Sequence, residues 1–112
     1  STPGVHDLAR LYHAHTLRGR EETVALLAED EQRRLKILCN RGWTPGQVVA
    51  VYLMAHSWLQ QAEVNLRVGY YALARFYALR ASGLFAALGS ANRRREAKAI
   101  LNRTQAALVT SG

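Results

Sequence analysis

Three observations predict an all-α fold. Apolar residues recur at steps of three and four along nearly the whole chain, no stretch sustains the alternation of a half-buried strand, and the only prolines are Pro3 and Pro45. At 112 residues, with 49% of them hydrophobic, there is material for one core and not two. The expectation is a single helical domain over 1–112, a compact bundle of about five antiparallel helices joined by short links.

The first helix, about 5–17, carries Val5, Leu8, Leu11 and Tyr12 on one side, follows the opening Ser-Thr-Pro and ends at Gly19. The second, about 21–39, opens with Glu21 and Glu22, which suit the positive end of the helix dipole. Its apolar line is Val24, Leu27, Ala28, Leu35 and Leu38, and Glu29–Arg33 and Asp30–Arg34 are spaced to pair in the acid-first order. Asn40-Arg41-Gly42 stops it. Thr44-Pro45-Gly46-Gln47 is a capping-box pattern with proline at the first helical position, so a third helix runs over about 45–68. Its inner line is Val48, Val51, Tyr52, Ala55, Trp58, Leu59, Ala62 and Leu66. After Gly69 the fourth helix, about 70–88, continues with Tyr71, Ala74, Ala78, Ala81, Leu84, Phe85 and Leu88 and is closed by Gly89. The fifth, about 92–109, carries Ala97, Ile100, Leu101, Thr104 and Leu108.

The hairpin at 58–81, WLQQAEVNLRVGYYALARFYALRA, resembles a tetratricopeptide repeat. Trp58, Ala62, Gly69, Tyr71, Ala74, Ala78 and Ala81 fall at that motif's spacing, although Asn65 stands where the motif usually has tyrosine and no proline follows the second helix. The likeness covers about a quarter of the chain and occurs once, which implies one repeat-like hairpin inside a bundle and not a solenoid. Small residues at 62, 74, 78 and 81 would let two helices approach closely, with Trp58 and Tyr71 filling the wedge beside them.

Charge is distributed unevenly. Residues 1–63 hold seven Lys or Arg against seven Asp or Glu, whereas 64–112 hold eight against Glu96 alone. Thirteen of the fifteen cations are arginine, whose planar fork binds phosphate bidentately and stacks on bases. The densest run, Ala91-Asn-Arg-Arg-Arg-Glu-Ala-Lys98, sets three cations at a helix N-terminus, against the dipole, and stacks Arg94 on Lys98 at i,i+4. Such an arrangement is most easily tolerated with phosphate or an acidic partner in front of it; its plain alternative is a solvated face. A second basic cluster, Arg67, Arg75 and Arg80, is interleaved with Tyr70, Phe76 and Tyr77, a mixture suited to holding single-stranded nucleic acid if part of it is exposed.

A basic, all-helical chain of this size is also similar in type, with no shared motif, to the small subunits of multi-subunit CRISPR effector complexes. That similarity implies several copies lining a nucleic-acid channel.

The histidines bear on catalysis and metal binding. Arg10 and His15 satisfy the R-x4-H spacing of HEPN-type ribonucleases, which this chain resembles in being a small helical bundle. Leu11 stands where that family usually has a polar residue, and the motif lies early in the chain, so no catalytic residue is assigned. His6 and His13 share a helix side without a predictable third ligand; no metal site and no cofactor is expected. His56 is expected as an interface or core residue, and the lone Cys39, which has no internal disulfide partner, as a small buried hydrophobe. The longest apolar run, Val48–Ala55, is too short to span a bilayer, and the opening residues lack a signal pattern, so a cytoplasmic chain without membrane contact is expected.

The function expected is a non-enzymatic one: a small helical subunit of a ribonucleoprotein assembly, contacting RNA or single-stranded DNA backbone through Arg75, Arg80, Arg93, Arg94, Arg95, Lys98 and Arg103. Helices one to three would meet other protein subunits or copies of the same chain. The alternative is a tetratricopeptide-like protein-interaction adaptor or secretion chaperone, with an amphipathic partner helix in a groove lined by Trp58 and Tyr71.

Overall fold

The computed structural model describes residues 27–111, and the fold is all-α there, with four helices and no strand among the described residues. They are α1 (Glu29–Asn40), α2 (Pro45–Val68), α3 (Tyr71–Leu88) and α4 (Ala91–Ser111). The expected first helix at 5–17, with Arg10, His6, His13 and His15, lies outside the described residues. The four helices among the described residues correspond to the second to fifth of the five expected.

α1 corrects the expected start of the second helix. Leu27 and Ala28 are not helical, and the first turn is Glu29, Asp30 and Glu31. The Ala28 backbone N–H donates to Glu31 Oε1 at 3.0 Å, so the side chain at the third helical position turns back and closes the helix end. Gln32 Nε2 donates to the Leu27 carbonyl at 2.9 Å and holds the entering strand of chain against the first turn. Of the two expected ion pairs, Glu29–Arg33 forms at 3.5 Å between exposed groups, while Asp30 has no ion pair among the described residues. Cys39 is half-buried, more open than the buried hydrophobe expected.

Both ends of α2 fall where the sequence puts them. Thr44 Oγ1 accepts from the Gln47 backbone N–H at 3.1 Å, and Gln47 Oε1 accepts from the Thr44 N–H at 2.9 Å, the reciprocal pair of a capping box. At the other end Gly69 takes φ +87°, the Gly69 N–H donates to the Leu66 carbonyl and the Tyr70 N–H to the Asn65 carbonyl. The Asn65 side chain, buried, donates to the Gln61 carbonyl at 2.7 Å and so satisfies itself within its own helix. α3 ends the same way on Gly89, whose φ of +70° is left-handed.

Two compact units divide the chain between Met54 and Ala55, within α2. In the first, Leu27, Leu38, Val48, Val49, Ala50, Tyr52 and Met54 are buried. The second contains the rest of α2 with α3 and α4. Its contacts run in opposite directions along α2 and α3: Trp58 meets Phe76 and Tyr77, and His56 meets Phe85. α3 and α4, linked only by Gly89 and Ser90, pack on each other. The seam is made of small residues, for Ala62, Ala74, Ala78, Ala81 and Ala97 are all fully buried, with Phe85 and Leu88 filling the space around them.

Gly83 presents the opposite case. It lies in the middle of α3 on the exposed side, and a Cβ there would meet nothing within 4 Å. Gly83→Ala should therefore raise stability by about 0.5–1 kcal/mol. Ala78→Leu should lower it by about 1–3 kcal/mol or more through overpacking of the seam. Urea denaturation of the two variants checks both signs.

Candidate nucleic-acid interface

The seven cations expected to meet nucleic acid all belong to one unit. Residues 55–112 hold eight Lys or Arg against Glu63 and Glu96. Glu96 is engaged by Arg93, whose guanidinium approaches both carboxylate oxygens at 3.3 Å. Arg93 is half-buried and tied to its own helix, which makes it the least available of the seven cations expected to meet nucleic acid.

Helix geometry divides the rest. The buried line of α4 is Ala97, Ile100 and Thr104. On one flank Arg94 and Lys98, at i,i+4, continue into Asn102 and Gln105, with Arg95 alongside; all five are exposed, and no acid interrupts them. Arg95 hydrogen-bonds the Asn92 side chain, whereas Arg94 and Lys98 have no ion-pair partner among the described residues. Arg103 lies on the other flank. The seven expected residues thus do not make one surface: Arg94, Arg95 and Lys98 form a row on α4, Arg103 faces away from it, and Arg75 and Arg80 belong to α3.

On α3 the aromatic cluster is built around Trp58, which is nearly buried and unavailable as the lining of a partner groove. Tyr77 lies tilted against it at 5.3 Å between ring centroids, and Phe76 meets it edge-on at 6.3 Å. The Arg80 guanidinium lies 5.2 Å from the Trp58 centroid and 4.8 Å from that of Phe76. Its first role is to cap those rings, which also takes up one face of Phe76 that a base could have stacked on. His56 packs edge-on against Phe85 at 5.3 Å, consistent with a core-edge residue. The outward side of α3 is apolar: Leu73, Phe76 and Leu79, 46–48% exposed, continue into Gly83, Ala86 and Ala87.

A feature that the sequence did not reveal is an open groove of about 620 Å³ in this unit. α2 supplies Glu63, Leu66 and Arg67, α3 supplies Tyr71, and α4 supplies Ile100, Arg103 and Ala107. Only the order in which three helices pack brings positions so far apart in sequence together. No group of three His, Cys, Asp or Glu side chains that could hold a metal ion occurs among the described residues, and no helix there is long and apolar enough to cross a membrane.

No protein-family model matches this chain, and neither curated proteins nor solved structures yield a relative. The functional reading therefore rests on the residues themselves.

The row on α4 is costly to its own helix, because it sets cations in the opening turns and like charges at i,i+4. Arg94→Glu should raise stability by about 0.5–1 kcal/mol, since the new carboxylate suits the dipole and pairs with Lys98. Arg80→Ala should lower it by about 0.5–1 kcal/mol through loss of the stack on Trp58 and Phe76. Thermal unfolding of the two variants at low salt measures the difference in sign.

Proposed function

We propose that this chain is a non-catalytic helical subunit that contacts RNA or single-stranded DNA backbone through the exposed row Arg94, Arg95 and Lys98. The observation that carries the reading is that row itself. It is exposed, free of acids along its face, without an ion-pair partner among the described residues at Arg94 and Lys98, and unfavourable to the helix that bears it. A polyanion laid along it relieves the repulsion and releases counterions, so each contact adds affinity without reading base sequence. Arg75 and Arg103 are exposed on other faces of the same unit and extend its positive field. A ribonucleoprotein assembly, with other subunits or further copies of this chain beside the strand, is the setting that suits such a row.

A second reading, a protein-interaction adaptor, is favoured by one specific observation. Leu73, Phe76 and Leu79 stand exposed beside Gly83, a glycine for which packing among the described residues supplies no reason. Close approach of a partner helix would supply one. The repeat-like spacing of Trp58, Ala62, Ala74, Ala78 and Ala81 fits either reading, because it describes how the hairpin packs and not what it meets.

Fluorescence anisotropy with labelled single-stranded RNA and DNA across a salt series separates the two. Under the first reading, Arg94→Glu with Lys98→Glu lowers affinity at least tenfold and reduces the salt slope by about two. Under the second, the same pair leaves association with a protein partner intact, whereas Phe76→Ser with Leu79→Asp removes it. Strand affinity unchanged by the charge reversal would refute the first reading.

A further inference from the structure

We infer that the groove between the C-terminal part of α2, the start of α3 and the middle of α4 binds a nucleotide phosphomonoester, either the phosphorylated end of a strand or a free nucleoside monophosphate. In its strand-end form this deepens the nucleic-acid reading above and rests on it; in its free-nucleotide form it stands alone.

Three charged side chains, Glu63, Arg67 and Arg103, line the groove, and none of them has an ion-pair partner among the described residues. This is unexpected for Glu63 and Arg67, which stand at i,i+4 in the favourable order on one helix. A cation at position 67 has a local reason, since it lies in the last turn of α2, where the dipole favours it. Position 103 has none, being in the interior of α4. Two guanidinium forks on different helices, both open to the same concave space, suit an anion with more than one face. A single carboxylate offers two oxygens and one charge, whereas a phosphomonoester offers three terminal oxygens and close to two charges.

The remaining lining suits what a nucleotide carries beside its phosphate. The half-buried ring of Tyr71, with Leu66, Ala107 and the buried Ile100, makes an apolar surface on which a base can lie. The Glu63 carboxylate, an acceptor only, faces the same space and can take a hydrogen bond from an exocyclic amine or a ribose hydroxyl. The volume of about 620 Å³ lies in the range of small-ligand sites. The groove is separate from the Arg94–Lys98 row, which lies on the opposite flank of α4.

The test is calorimetric titration of the full chain with adenosine 5′-monophosphate, adenosine and inorganic phosphate. The monophosphate should bind at least tenfold more tightly than either of the others. Arg67→Gln and Arg103→Gln should each remove most of that advantage, and Arg103→Lys should restore only part of it. Both arginines are exposed, and unchanged melting temperatures would show that the variants stay folded. Equal binding of adenosine and its monophosphate, no binding of either, or monophosphate binding indifferent to both arginine variants would overturn the inference. Oligonucleotides with 5′-phosphate and 5′-hydroxyl ends then distinguish the sources: an Arg103-dependent preference for the phosphorylated end identifies a strand terminus, and equal binding leaves the free nucleotide. Failure of the backbone-contact reading is read elsewhere, in strand affinity that ignores charge reversal at 94 and 98.

Discussion

The close approach allowed by fully buried alanines is the constraint on which the second unit depends. Each of its three helices contributes at least one, Ala62 on α2, Ala74, Ala78 and Ala81 on α3, and Ala97 on α4. Helices that meet through alanine sit at the short end of the usual interaxial range, so the larger side chains are driven to the margins of the seam. Trp58, Phe76 and Tyr77 gather at one margin and Phe85 and Leu88 fill another. The groove at Tyr71 is lined by residues of all three helices. With a seam of bulkier residues the helices would stand apart and neither the Arg80 stack nor the groove would have these partners.

That packing also sorts the cations. α3 carries no acid and only Arg75, Arg80 and Ser82 as polar residues, and α4 has Glu96 as its one acid, already engaged by Arg93. Once the alanine faces are buried, six of the eight cations fall on three distinct surfaces, the row on α4, the groove, and the edge of the aromatic cluster, while Arg75 stands exposed apart from them and Arg93 is tied to Glu96. These surfaces differ in what they can do. The row suits an extended anion, the groove a compact one, and Arg80 is committed to ring faces. Composition alone treats eight cations as one reservoir of charge, whereas the fold gives them different surroundings.

Local signals were legible in the sequence and long-range ones were not. The ends of α2 and α3 fall where expected because capping is decided by neighbours: Thr44 with Gln47, and Gly89 in a left-handed turn. The start of α1 was misplaced because acids at 21–22 give the same signal as those at 29–31. What decides between them is the return of the Glu31 carboxylate to the Ala28 N–H, which composition does not announce. The exposure of Arg94, Arg95 and Lys98 follows from helical period and was expected. The half-burial of Arg93, the stacking of Arg80 on a tryptophan 22 residues away and the convergence of Glu63 and Arg103 on one groove depend on how helices pack, which period cannot supply. Trp58 is buried, as its place on the inner line of α2 leads one to expect, and the rings of Phe76 and Tyr77 cover it, against the groove-lining role that the adaptor alternative gave it.

One row of cations on α4 is proposed to meet a polyanion, and Arg33 and Arg34 of α1 lie outside that row. Resonances of the arginine side chains, followed by NMR during titration with an unphosphorylated oligothymidine, test it most directly. The account predicts that Arg94 and Arg95 shift first and together, saturate at one strand per row, and leave Arg33 and Arg34 unmoved. Shifts spread evenly over all arginines, or concentrated on Arg33 and Arg34, would contradict it.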